Sequence, residues 1–382
     1  MEWSVHHHQP ASLERILDFP VITLSAADKL DADATFDCLV SHAEPLQGTS
    51  PYKKATLLRL TYEHVRSKDT FLYQFFLFVD RNSHGHDDRQ PAFKDGLTKF
   101  RGFSSQTSAP SLKREAEVII DLFAEYLFQN FFLPMKATVN SAAGLPYLRS
   151  QPLRGDGTFN IDEAITRERK DPVDYKDDNG QLLAADLQPF SDLEVAHIVP
   201  HSIMSAKTVD GQLQLTESKK TALSILDMFN PGIALHLIEG PAIDHPSNAI
   251  SLRSNVHKRF GLFQISFEAL NEEQQHTYRI HGHGVIPSRV FNLPMTRTLL
   301  LSPNHTIDPP SAKFLALHRA ITVILELSAA GEYINHIIHH MEEIWVRNDG
   351  SVELGRIVAL KLDGWLDGVA FDGGVIGRRT VG

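Results

Sequence analysis

The stretch Leu193-Glu194-Val195-Ala196-His197-Ile198-Val199-Pro200-His201 decides how this chain is read. Val195, Ile198 and Val199 favour extended backbone, and Pro200 cannot donate to a strand ladder, so the stretch predicts a short strand stopping at the proline. Two further pieces go with it. Asn248-Ala249-Ile250-Ser251-Leu252-Arg253 leads into a short helix that holds His257-Lys258-Arg259-Phe260. Phe263-Gln264-Ile265-Ser266-Phe267 alternates as a strand should, with Tyr278-Arg279-Ile280 as its hairpin partner and the polar Asn271 to Gln275 as the turn region.

Working outward, the first third predicts helices. Tyr52 to Val79 and Ser111 to Met135 carry apolar residues on more than one face, the pattern of buried helices. Many of the chain's 22 phenylalanines fall there, which predicts either plain core packing or the wall of an apolar ligand pocket. Arg81 to Pro110 predicts a long loop, and Asn140 to Gly157 a domain boundary. Thr216 to Phe229 predicts a helix closed by Asn230-Pro231-Gly232. After the Pro-rich link Ser302 to Pro310, a strong helix is expected from Ser311 to about Glu343, with Gly331 dividing it, and then an extended or frayed tail from Asp363. Three regions result: 1–150, Phe-rich and helical; 151–300, mixed; and 301–382, helical with a Gly-rich tail.

Composition sets bounds on function. The 382 residues carry 47 Asp and Glu against 37 Lys and Arg, a formal charge of −10, with 42 % hydrophobic residues. These are globular values and exclude a collagen-like or wholly disordered chain. The single Cys38 excludes an intramolecular disulfide and a Cys-based zinc site, and points to the reducing interior of a cell. The first residues lack a basic run leading into an apolar core, so no secretory leader is expected, and His6 to His8 are taken as incidental. Asp121 and Glu125 interrupt the most hydrophobic stretch, Val118 to Met135, and argue against a membrane span. The acidic balance opposes nucleic-acid binding, which gains affinity by neutralising phosphates, unless the basic residues gather on one face.

A histidine, an asparagine and a second histidine, on a strand end, a loop and a short helix, form the arrangement of a ββα-metal nuclease site. In it a neutral imidazole takes a proton from water, and a second histidine helps hold a divalent cation. The chain resembles the HNH endonuclease family, and within it the fungal-type members. Leu193 to Pro200 is similar to that family's first segment and Ser247 to Phe260 to its asparagine-to-histidine segment. Phe314-Leu315-Ala316-Leu317-His318 and Leu327 to Ile334 are similar to the helical extension behind the site. The resemblance covers about residues 167–341. It implies an α+β, predominantly helical protein with an HNH-like ββα-metal unit embedded between an N-terminal helical region and a C-terminal helical extension. It also implies His197 as general base, Asn248 as its orienter and His257 as metal ligand. Arg253 and Arg259 would face phosphates.

The chain departs from the family pattern at three places. Ala196 stands where such sites often place a ligand, Gly261 follows Phe260 where aspartate is usual, and Asp171-Pro172-Val173-Asp174 has no cysteine. A lone imidazole is a poor seat for magnesium, which prefers oxygen ligands. Asp210, Asp244 or His245 are the candidates to restore one. His281 with His283, and His336, His339 and His340, are further candidate pairs attributed to chance among 20 histidines.

The sequence supports two functions of different class. The preferred one is an HNH fold repurposed, in fungal secondary metabolism, as a cofactor-independent enzyme. It would shape a small apolar terpenoid or polyketide for a Diels–Alder or other pericyclic cyclisation, or for isomerisation. His197, Asn248 and His257 would sit at the site, with His201, Arg253 and Phe260 touching substrate. The alternative is a divalent-metal-dependent DNA endonuclease, with Mg or Mn at His257. A catalytically silent interaction protein is the third reading. The expected setting is intracellular and cytoplasmic, nuclear under the nuclease reading, with no membrane partner.

Overall fold

A computed structural model of the chain describes residues 22–48, 50–83, 90–143, 193–204, 207–209, 212–238, 243, 245–270, 275–284, 296–299, 301, 307–342 and 352–366. The first region builds six helices: α1 (Ala26–Ala43), α2 (Lys54–His64), α3 (Lys68–Ser83), α4 (Phe93–Phe100), α5 (Pro110–Leu127) and α6 (Leu133–Ala143). Ser25 starts α1 by accepting the Asp28 N–H on its hydroxyl, the N-cap role short hydroxyl residues fill well. A π-helical turn, Phe128–Phe132, joins α5 to α6. The stretch Tyr52 to Val79 is two helices, because the chain extends at Val65 before α3 begins.

The long loop expected over Arg81 to Pro110 is corrected by α4. Phe93, Leu97 and Phe100 stand at i, i+4 and i+7, an apolar stripe that buries completely. Gly96 lets that stripe reach α3: a Cβ at this position would lie 1.9 Å from the Phe76 carbonyl oxygen. The phenylalanines fill one another's space. Phe36, Phe71, Phe75, Phe76, Phe123 and Phe128 are all buried, and Phe75 meets Phe36, Phe76 and Phe123 edge-on at 5.0 to 5.2 Å between centroids. They are core. α5 to Thr138 is long and apolar enough to cross a membrane by length and composition, but most of it is buried within the fold.

The middle region contributes β1 (Leu193–His197), β2 (Lys207–Val209), β3 (Gln212–Gln214), α7 (Glu217–Phe229), α8 (Ile233–Ile238), β4 (Ala249–Arg253), α9 (Ser254–Gly261), β5 (Ile265–Ala269), β6 (Thr277–Gly282) and β7 (Thr296–Thr298). β1 pairs antiparallel with β4, His197 opposite Ala249 and Leu193 opposite Arg253. β2 pairs with β3, and β5-β6-β7 form an antiparallel meander. Thr216 caps α7, as its hydroxyl accepts the Lys219 N–H.

The last region adds α10 (Ala312–Leu327), α11 (Ala330–Glu342) and α12 (Val352–Leu362). α10 and α11 meet at a bend of 84°. The break falls at Ser328-Ala329 rather than at Gly331, with Ala329 in the left-handed region at φ 60°. The expected frayed tail is corrected over its first residues. Trp365 and Leu366 are buried, and the Trp365 indole N–H donates to Ser218 Oγ at 2.9 Å.

The fold is therefore α+β and predominantly helical, with the small ββα unit set between two helical regions. Buried side chains of all three join one apolar cluster. Two side chains fasten α9 from either flank. Lys136 of α6 donates to the Leu262 carbonyl at 2.6 Å, and His318 Nε2 of α10 donates to the Phe260 carbonyl at 3.0 Å. A helix end leaves carbonyls without helical partners; Lys136 supplies one at Leu262, and His318 adds a second bond at Phe260, whose carbonyl also accepts the Phe263 N–H at 2.9 Å.

Candidate functional site

β1, β4 and α9 make one ββα unit, in which β4 runs into α9 without a loop and Arg253 is the helix N-cap residue. His197 is the last residue of β1, and it is exposed. The chain then forms an arch, His197 to His201, held from beneath. Ile198, Val199 and, just beyond, Ile203 are buried, while both histidines are exposed. Pro200 restricts the backbone between them.

Asn248 holds this arch. It is 0 % exposed. Its backbone carbonyl accepts the Ile198 N–H at 2.9 Å, and its Oδ1 accepts the Val199 N–H at 2.8 Å. Its Nδ2 donates to the Val199 and Ile243 carbonyls at 3.0 and 2.8 Å. An amide side chain can donate and accept at once, which is what pinning both groups of one peptide residue requires. The rings of His197 and His201 stand 6.2 Å apart between centroids, inclined at 63°.

At the opposite end of β1, Glu194 joins the strand to α9. Its Oε2 accepts His257 Nδ1–H at 2.7 Å and its Oε1 accepts Ser254 Oγ–H at 2.6 Å. These two hydrogen bonds, Ser254 first, hold its carboxyl below the usual carboxylate range. Glu194 and His257 are each about one-third exposed at the side chain. Nδ1 is committed to the carboxylate, so Nε2 is the nitrogen of His257 left for other chemistry. Glu194 was not among the residues singled out from sequence. The signal is the period of two: Glu194 and Ala196 share a strand face, and Ser254 and His257 share a helix face at i, i+3.

The remaining candidates are dispersed. Arg253 and Lys258 are exposed on the unit, and Arg259 donates to Gln264 Oε1 at 2.6 Å. Phe260, expected to touch substrate, is 1 % exposed and stacks on His318 at 3.9 Å, so its ring lies in the core. His245 is engaged with Ser247 Oγ at 3.0 Å and lies 3.5 Å from an Asp308 carboxylate oxygen. His281 and His283 each meet a carboxylate, Glu268 at 2.7 Å and Glu326 at 2.6 Å. Asp210 and Asp244 lie outside the described residues.

A divalent cation does not fit the donors that the described residues offer. No group of three or more His, Cys, Asp or Glu among them could hold one. Ala196 turns a buried methyl to the place expected of a ligand, Gly261 brings no side chain, and both Glu194 oxygens already accept hydrogen bonds. One imidazole nitrogen is a poor donor set for a hard ion.

Taken together, these elements define a helical α+β protein with a ββα unit whose strand end carries an asparagine-pinned histidine. Residues 164–268 match the sequence model of the HNH endonuclease family, so this part of the chain is an HNH-type unit. Among curated proteins and solved structures, nothing matches the chain.

Proposed function

We propose that the HNH-type unit cleaves a phosphodiester of nucleic acid, with His197 as the general base. The observation that carries this reading is the mounting of His197. An exposed imidazole at a strand end, on backbone whose next two residues are pinned by a wholly buried asparagine, is held as a proton acceptor must be. The family match over the same residues supports it. Arg253 and Lys258 are exposed cations of the unit and supply phosphate contacts within an otherwise acidic chain. The test is nicking of supercoiled plasmid and cleavage of single-stranded RNA, with magnesium, with manganese and with chelator. Cleavage of either polymer by the purified chain that falls at least 100-fold in His197→Ala is the expected result. Nicking that persists in the variant would assign the activity to a contaminant.

A second reading keeps the fold without phosphate chemistry and gives it a small apolar terpenoid or polyketide to fold for cyclisation. Ala196 and Gly261 favour it, since both stand where cation ligands are expected. The self-filled packing of the phenylalanines counts against the pocket it needs. Under this reading the protein leaves plasmid intact, and an apolar metabolite raises its melting temperature.

A further inference from the structure

We propose that His197 and His201 form an acid–base couple that cleaves RNA without a bound cation. This inference rests on the phosphodiester reading above and names its substrate class. It begins from the arch. A single five-residue segment carries two exposed imidazoles whose centroids are 6.2 Å apart. Each ring nitrogen reaches a further ~2.8 Å to a hydrogen-bonded oxygen, so two rings at this spacing can both reach oxygens of one phosphate group lying across them.

The arch is also rigid, because Asn248 fixes both backbone groups of Val199, Pro200 restricts the turn, and Ile198, Val199 and Ile203 anchor it in the core. Two groups held at fixed separation are what concerted proton transfer needs. The donor set at the other end of β1 points the same way. There Glu194, Ser254 and His257 bond to one another, and Ala196 and Gly261 offer nothing to a cation.

A site that relies on imidazoles alone has no metal-bound hydroxide to attack phosphorus. It therefore requires a phosphodiester that brings its own nucleophile, and RNA does so through the 2′-hydroxyl. His197 takes the 2′-hydroxyl proton as the 2′-oxygen bonds to phosphorus. The bond from phosphorus to the 5′-oxygen breaks, and His201, entering as imidazolium, gives that oxygen a proton. The products are a 2′,3′-cyclic phosphate and a 5′-hydroxyl end. One proton is gained at His197 and one lost at His201, and exchange with water resets both.

The test uses the full-length chain and a single-stranded RNA oligonucleotide in excess chelator. A matched oligonucleotide carries 2′-deoxy at every position, and a third carries sulfur in place of the bridging 5′-oxygen at one linkage. The expected result is cleavage of RNA to cyclic-phosphate ends, with the deoxy oligonucleotide intact. His201→Ala and the milder His201→Gln lose 100-fold or more on ordinary RNA, the range of a lost general acid. Both recover on the sulfur linkage, whose leaving group needs no proton, whereas His197→Ala does not recover. A merely structural role for His201 would not produce that selective recovery.

RNA left intact in chelator while plasmid DNA is nicked with manganese overturns this inference and leaves the phosphodiester reading standing. RNA cleavage indifferent to His201 overturns the couple. No cleavage of either polymer overturns both readings.

Discussion

At the scale of single residues, Asn248 and His318 do the most for the unit, and each carries a prediction. Asn248→Ala strands the Val199 N–H and the Val199 and Ile243 carbonyls in a dry environment. Each unpaired buried group costs on the order of 1–3 kcal/mol, so a loss of about 3 kcal/mol or more is expected in urea unfolding. Asn248→Asp does no better, since a carboxylate would face two carbonyl oxygens. His318 is sandwiched between Phe260 at 3.9 Å and Phe263 at 4.7 Å, and its Nδ1 is buried without a partner. Burial, reinforced by the positive charges of His283 and Lys136, pulls it down to about 3. The unfolded chain takes up this proton near 6.5, and the folded chain only near 3. Stability contributed by a neutral His318 is therefore whole above pH 6.5 and declines steadily as pH falls toward 3. His318→Phe should be less stable at pH 7, having lost the Nε2–H bond to the Phe260 carbonyl, yet show a flatter melting temperature between pH 6.5 and 4. The placement of His197, Asn248 and His257 on a strand end, a loop and a short helix is legible in the sequence, because their order and types go together as a set. Glu194 is not, because its meaning depends on which strand face α9 covers, and nothing in Leu193 to His197 states that.

At the scale of elements, boundaries followed the local chemistry where that chemistry was strong. Asn230-Pro231-Gly232 ends α7 after Phe229, and the hairpin of β5 and β6 forms where alternation was visible, with Phe267 opposite Ile280. α4 is hidden in the sequence because Gly, Ser, Asp and His surround it, and its eight residues give too short a periodic signal to outweigh them. The same helix yields the sharpest prediction at this scale. Gly96→Ala forces a methyl to within 1.9 Å of the Phe76 carbonyl oxygen and 2.9 Å of its carbon, both backbone atoms that cannot swing aside. α4 must then lift from α3, opening the packing of Phe93 against Phe76. The expected cost is about 3 kcal/mol, the upper range for overpacking, read as a lowered melting temperature. Gly48→Ala, whose Cβ would meet nothing within 4 Å, is the control and should leave stability unchanged or slightly raised.

At the scale of the whole molecule, what sequence reading could not supply is the set of contacts that run between distant segments. Tyr52, Glu125, Tyr333 and Arg356 lie far apart in the chain, yet they meet in one partly buried network. Tyr52 stacks on Phe128 at 4.6 Å and donates to Glu125 Oε2 at 3.0 Å, and burial together with that carboxylate drives the Tyr52 hydroxyl far above its ordinary range. Arg356 Nη2 donates to Glu125 Oε1 at 2.6 Å, and Nη1 donates to the Tyr333 hydroxyl at 2.7 Å. Its guanidinium lies over the Phe128 and Tyr333 rings at 5.5 and 5.6 Å, so α12 is bound to α5 and α11 through one side chain. Beyond it, the buried Lys219 ammonium donates to the Gly364 carbonyl at 3.1 Å beside the Trp365 ring. Arg356→Ala leaves the Glu125 charge half-compensated and removes the contact over two rings, which should cost about 3 kcal/mol. Arg356→Met restores packing over the rings without the charge and should recover part of that loss. With Trp3 and Trp345 replaced by phenylalanine, Trp365 reports on the docking alone. In the parent chain its emission should shift in the same denaturant range as the loss of helical ellipticity, because its indole and the α7 helix unfold together. In Arg356→Ala the Trp365 shift should come first, since the polar ties that remain are the short ones through Thr216, Ser218 and Lys219. Coincident transitions in that variant would mean that α12 is held by the apolar cluster and that the arginine network is dispensable.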